Sequence, residues 1–140
     1  MPVSFYSQSL DFSLDNPSII EQWILSTFNR ESSFQSISLN IIFCTDEELL
    51  QINRDFLEHD YYTDIITFPI SITEKVLEAE LYISIDRVRE NATNGDVSFL
   101  NELHRVIIHG ALHLCGYGDK TSKEEVLMRT KEDEHLSYLK

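Results

Sequence analysis

Apolar and polar positions change period several times along the chain, and each change marks an element. Val3 to Ser7 alternates weakly and predicts a strand. Ile19, Ile20, Trp23, Ile24 and Phe28 follow at helical spacing behind Pro17, whose missing N–H costs nothing in a first turn, with Asp15 or Asn16 as the cap. Ile37, Leu39, Ile41 and Phe43 alternate strictly, which predicts a strand over 37–43, with Cys44 a small core residue at its end. Thr45 and Glu48 form a capping box opening a helix that carries Leu49, Ile52, Phe56 and Leu57. After a polar loop, Ile65 to Phe68 predicts a strand ended by Pro69, and Leu81 to Ile85 predicts another. Asp86 is expected to cap a helix through Ala92 that breaks at Asn94-Gly95. Ser98 opens the next helix, where Phe99, Leu103, Val106, Ile107, Leu112 and Leu114 cover most of the circumference and so predict burial. Ser122 with Glu125 reads as a second capping box, opening a helix to about Tyr138.

The order β-α-β-α-β-β-α-α-α predicts an α+β fold in one domain, residues 1–140, with a mixed four-stranded sheet and about five helices. Two helical crossovers imply that the first three strands run parallel, and the fourth, joined without a helix, should pair antiparallel. A chain of 140 residues can bury roughly 68–70% of its unfolded surface, so it needs no metal or disulfide to fold.

Charge narrows the functions. The net charge of −13 lacks the basic footprint usual for nucleic-acid binders, so any such footprint must be local, with Arg54, Arg87, Arg89, Arg105, Lys120 and Lys123 as candidates. The runs Asp46-Glu47-Glu48 and Glu132-Asp133-Glu134 are assigned to solvated helix faces. Neither a signal peptide nor a membrane-length apolar run is present, and two cysteines make no disulfide framework, which favours the cytoplasm.

The chemistry concentrates on the buried helix. His109 and His113 are four residues apart, about 40° around a helix, so both imidazoles can grip one metal ion. Three of the chain's four glycines, Gly110, Gly116 and Gly118, fall in the same stretch, and Gly116 suits a left-handed helix end. The chain can then fold back and offer Asp119 as a third ligand, leaving one position open, as in catalytic sites. The alternative is two core histidines satisfied by backbone carbonyls. Gly110 stands where a zinc protease carries its general base, which argues against that class. Cys115 lies about 200° from His113 and His104 about 140° from His109, so neither should reach the ion. His59 and His135 read as surface residues.

His109-Gly-x-Leu-His113-Leu-x-Gly-Tyr resembles the signature of the YbeY family of bacterial rRNA maturation factors. Ile52-Asn53-Arg54, the stretch Thr63 to Pro69, Ala79 to Ser84 and Glu102 are similar to further blocks of that family. The resemblance implies an α+β fold and a metal-dependent, single-strand-specific endoribonuclease acting in 16S rRNA 3′-end maturation and ribosome quality control. It implies one Zn²⁺ per chain on His109, His113 and Asp119, and ribosomal RNA or the small subunit as partner, with no DNA or membrane. Arg54, Arg87, Arg89 and Arg105 are the expected RNA contacts, and Thr63 and Asp64 could shape the cleft edge or serve a local turn. Asp119 replaces the family's third histidine, Gly118 its aspartate, Leu57 an arginine, and Glu80 another aspartate. These departures keep two alternatives open: a non-catalytic assembly factor with a structural metal, and a metal hydrolase of other phosphoesters.

Overall fold

A computed structural model describes residues 2–59 and 62–139, so residues 60 and 61 of the polar loop lie outside it. The elements are β1 (Val3–Ser7), α1 (Pro17–Glu31), β2 (Ser36–Cys44), α2 (Asp46–Leu57), β3 (Ile65–Ile72), β4 (Val76–Ser84), α3 (Ile85–Asn94), α4 (Phe99–Leu114) and α5 (Ser122–Tyr138). They form the expected α+β domain with one mixed sheet, in the order β1-β2-β4-β3.

The antiparallel strand is β3, not the fourth strand. β1 pairs parallel to β2, β2 parallel to β4, and β3 antiparallel to β4. The α2 connection does not cross the sheet. It turns back at the end where β2 finishes, so Ile65 at the start of β3 pairs with Ile83 at the end of β4. β3 also continues through Pro69, with an irregular register between Pro69 and Ser71. An edge strand tolerates a residue without an N–H, which is why proline did not end it.

Alternation along β4 buries Leu77, Ala79, Leu81 and Ile83 on one face, joined by Leu39, Ile41 and Phe43 of β2. Helices α1 and α4 cover that face, and α5 packs on the outer side of α4. Sandwiched this way, α4 buries Leu103, Val106, Ile107, Ile108, Ala111 and Leu112. A Cβ on Gly110 would lie 2.7 Å from Ile65 Cδ1, so glycine lets α4 approach the sheet beside the two histidines. The opposite face holds a small cluster of Cys44, Leu49 and Ile66 under α2.

Capping explains most helix starts, with three corrections. Thr45 and Glu48 make the predicted box on α2. Helix α5 is capped by Thr121 with Glu124, one residue earlier than Ser122 with Glu125; both pairs fit the pattern, and Thr121 has the extended backbone a cap requires. Helix α3 is capped by Ser84, whose Oγ accepts from Arg87 N at 3.1 Å, while Asp86 accepts from Asp46 N at the start of α2. Asn16 sits in the left-handed region at the start of α1 and makes no side-chain cap.

Candidate metal centre

The site is set by how α4 ends. Gly116 takes φ +105°, Gly116 N donates to His113 O at 3.0 Å, and Tyr117 N donates to Leu112 O at 3.1 Å. This pair of bonds is a Schellman ending, which a left-handed residue after the helix permits. It turns the Tyr117 carbonyl toward the helix, where it accepts from His113 Nδ1 at 2.8 Å. A carbonyl oxygen only accepts, so Nδ1 carries a proton, and a neutral His113 ring then keeps its lone pair on Nε2. The Tyr117 hydroxyl anchors the turn from the other side by donating to Glu31 at 2.7 Å.

His109 is held similarly, by a residue the sequence reading had put in solvent. Its Nδ1 lies 2.7 Å from Glu132 Oε2, and the Glu132 side chain is only 6% exposed. Glu132 therefore does not belong to a solvated face. It stands on α5 in a buried line with Met128 and His135, and that stripe at helical spacing was the available signal. Burial alone would raise its pKa, but hydrogen bonds and charge from His109 and Arg105 outweigh this and lower it. Burial would lower the His109 pKa, and the Glu132 bond with the charges of Glu132, Asp119 and Asp64 raises it instead.

With both Nδ1 atoms engaged, the Nε2 atoms of His109 and His113 face Asp119 Oδ2 at 3.3 and 3.2 Å. The three ligand atoms lie within 4.8 Å of one another. Two lone pairs and a carboxylate oxygen pointed together repel unless a cation or protons sit among them, so this donor set fits a divalent ion. Two imidazoles and one carboxylate leave room in a four-coordinate shell, which suits zinc. Cys115 and Cys44 stay outside the set, and burial pushes both thiols up to about 12.

The centre lies between two clefts. One, of about 620 Å³, is bordered by Asn53, Leu57, His59, Thr63, Asp64, Thr67, His113, Asp119 and Lys120. The other, of about 380 Å³, is bordered by Asp64, Glu102, Arg105, Glu125, Arg129 and Glu132. His109 and Asp119 border both. Thr63 and Asp64 thus stand at the cleft edge, and the Thr63 hydroxyl also bonds locally to Ile65 O at 3.4 Å. Burial, then the neighbouring charge of Asp64, raises the Glu102 pKa, and burial raises that of Asp64.

The predicted arginines are dispersed. Arg87 pairs with Asp46 at 2.7 Å and Glu90 at 3.2 Å, and Arg89 lies over the Phe99 ring. Neither these two nor Arg54 borders either cleft. Arg105 borders the smaller one but is paired with Glu132 and Asp133 at 2.9 and 2.7 Å. Glu80 accepts from the Tyr82 hydroxyl at 3.1 Å. His104 packs edge-on against Trp23, away from the centre. His59 is exposed, as expected, but His135 is 1% exposed and lies 2.6 Å from Glu31, contrary to its surface assignment.

A buried helix offering two histidines to a following loop, on an α+β domain beside a mixed sheet, presents a donor set that fits a metal ion. The family model described as endoribonuclease YbeY matches residues 4–140. Endoribonuclease YbeY of Cytophaga hutchinsonii is 48% identical over 138 residues, covering 99% of this chain and 96% of its own. That of Flavobacterium psychrophilum is 44% identical, covering 94% and 92%. A Thermotoga maritima protein solved in solution shares the fold, with a TM-score of 0.65, 25% identity and coverage of 98% and 88%. The chain belongs to the YbeY family of endoribonucleases.

Proposed function

We propose that the chain is a metal-dependent endoribonuclease of ribosomal RNA maturation, with His109, His113 and Asp119 holding one Zn²⁺. Family membership makes it a hydrolase of RNA phosphoester bonds. The observation that carries the metal reading is the convergence of His109 Nε2, His113 Nε2 and Asp119 Oδ2 beside open clefts. When bound, a divalent cation supplies Lewis acidity at a phosphoryl oxygen and acidifies water.

The chain's own residues supply the rest. The larger cleft has room for a single strand, and Lys120 and His59 border it together with two carboxylates, Asp64 and Asp119. The smaller cleft carries five carboxylates, Asp64, Glu102, Asp119, Glu125 and Glu132, against Arg105 and Arg129, and this excess repels a phosphate backbone. RNA therefore enters along the α2–β3 side, and Lys120 takes the electrostatic part that Leu57 cannot play. The overall acidity of −13 keeps non-specific binding weak, so contact is local and salt-sensitive. The small ribosomal subunit is the proposed partner and the cytoplasm the proposed location; no helix among the described residues is long and apolar enough to cross a membrane.

The test is single-turnover cleavage of an oligonucleotide matching the 3′ tail of small-subunit rRNA by zinc-loaded protein. The reading expects cleavage that chelation abolishes and zinc restores. Cleavage unaffected by exhaustive chelation would remove the metal from it, and no cleavage by zinc-loaded protein would favour an assembly role.

A further inference from the structure

Glu132 is 23 residues from His109 in sequence, on a different helix, and buried against it. Its two carboxylate oxygens hydrogen-bond to two partners, with Arg129 Nη1 farther off at 3.9 Å from Oε1. Oε2 faces His109 Nδ1 at 2.7 Å, and Oε1 accepts from Arg105 Nη1 at 2.9 Å. Arg105 is itself fixed at its other nitrogen by Asp133 at 2.7 Å. The arrangement is a relay from α5 back to α4: Asp133 and Glu132 grip Arg105, and Glu132 grips His109.

We propose that Glu132 is a positioning residue that fixes the tautomer and ring orientation of His109, with Arg105 fixing Glu132 in turn. The inference rests on the metal reading above and gives Arg105 a role inside the protein rather than on RNA. The physical reason lies in the donor inventory. Neutral imidazole carries one proton, and a carboxylate at Nδ1 keeps that proton there. Nε2 then presents a lone pair to the space shared with His113 and Asp119. A carboxylate behind a metal-binding histidine also raises its basicity, and losing such a partner typically costs ~10–100-fold in metal affinity.

Arg105 makes the proposal sharply testable. Guanidinium has donors only, so it demands an acceptor at the Oε1 position. In Glu132→Gln the single amide oxygen goes to Arg105, and the amide NH₂ is left facing His109 Nδ1. Nδ1 must then accept, its proton moves to Nε2, and the ring no longer offers a lone pair to an ion. The substitution keeps the side chain's shape. Adding Arg105→Met removes the demand, so the amide can rotate and offer its oxygen to Nδ1 again.

The experiment combines two readouts on these variants: imidazole ¹⁵N spectra of the metal-free proteins above the histidine titration range, and zinc affinity by competition with a chromogenic chelator. In the parent, His109 is expected as the Nδ1–H tautomer. E132Q is expected to show Nε2–H and to bind zinc ~10–100-fold more weakly. The double variant E132Q/R105M is expected to regain the parental tautomer and part of the affinity, which a merely structural role for Glu132 does not predict. A parental spectrum showing Nε2–H on His109 overturns the proposal even if a variant fails to fold. Parental tautomer and affinity in folded E132Q overturn it too, and a double variant no better than E132Q removes Arg105 from it. His109→Ala separates the levels. If it still binds zinc like the parent, the ligand reading itself falls; if it loses zinc while E132Q does not, only the positioning role does.

Discussion

Among the described residues, two clusters bring histidine nitrogens and carboxylate oxygens within 4.8 Å of one another: His109, His113 and Asp119 on one side of α4, and Glu31, Glu134 and His135 between α1 and α5. Counted by residue type alone, both are candidate metal sites. They differ in where the protons are. In the second, Glu31 is close to three hydrogen-bonding groups: the Tyr117 hydroxyl at 2.7 Å, His135 Nε2 at 2.6 Å and Lys131 Nζ at 3.3 Å. The Lys131 ammonium also reaches Glu134 at 3.5 Å, so a cation already occupies the cluster. In the first, Tyr117 O and Glu132 engage both Nδ1 atoms, so neutral imidazoles turn their Nε2 lone pairs toward Asp119. One cluster is a closed ion-pair network and the other an open donor set. A shared residue ties them together: the Tyr117 carbonyl orients His113 and its hydroxyl docks on Glu31.

The largest expected effect breaks the open cluster. His113→Ala should abolish cleavage of the rRNA-tail oligonucleotide while the chain stays folded, because a core of this size does not depend on the ion. Circular dichroism with single-turnover kinetics checks both halves; activity near the parent's would take His113 out of the chemistry.

Next comes Asp119, 42% exposed at its side chain and the most accessible of the three. Asp119→Ala should weaken zinc binding by more than the ~10–100-fold typical of losing an outer partner, since a ligand itself is gone. Asp119→His should keep the metal. Competition titrations decide, and parental affinity in the alanine variant would show that the carboxylate only closes the turn.

The closed cluster should respond in stability instead. Glu31→Gln leaves Lys131, Tyr117 and His135 facing an amide in place of a charge and should cost about 1–3 kcal/mol in denaturant unfolding. Burial would raise the Glu31 pKa, but its hydrogen bonds to His135, Tyr117 and Lys131 and the Lys131 charge bring it below the ordinary carboxylate range. A depressed folded pKa gives stability that is complete above the unfolded carboxylate value and lost as pH falls through the folded one. Glu31→Gln should therefore flatten the acid limb of the stability–pH curve, and an unchanged limb would assign that limb to other carboxylates.

The smallest effect concerns the loop between the clusters. A Cβ on Gly118 would meet Glu124 Oε2 at 2.5 Å, the same carboxylate whose Oε1 accepts from Thr121 N in the α5 cap. Gly118→Ala should cost about 1 kcal/mol or less, the worth of a capping interaction. Thermal unfolding with no change would mean that Glu124 swings aside freely.

How much of this the sequence carried depended on range. The i, i+4 histidines and the glycine ending of α4 are local, and both were legible. Asp119, five residues past the end of α4, could be placed beside them because the chain between is short. Glu132 was not: it acts across 23 residues, and its neighbours Asp133 and Glu134 disguised it as part of a charged surface run. His135 was missed for the same reason, although Met128, Glu132 and His135 trace one buried line on α5. The direction of β3 departed from expectation because a helix of ordinary length turned back instead of crossing, a matter of tertiary packing that periodicity does not record.

The central claim, that proton placement makes one cluster a metal site and the other a salt-bridge network, is tested most directly by zinc stoichiometry. Calorimetric titration of metal-free parent, His113→Ala and Glu31→Gln should give one tight site per chain in the parent, none in His113→Ala and one, unchanged in affinity, in Glu31→Gln. A tight site that persists in His113→Ala, or that disappears in Glu31→Gln, would contradict it.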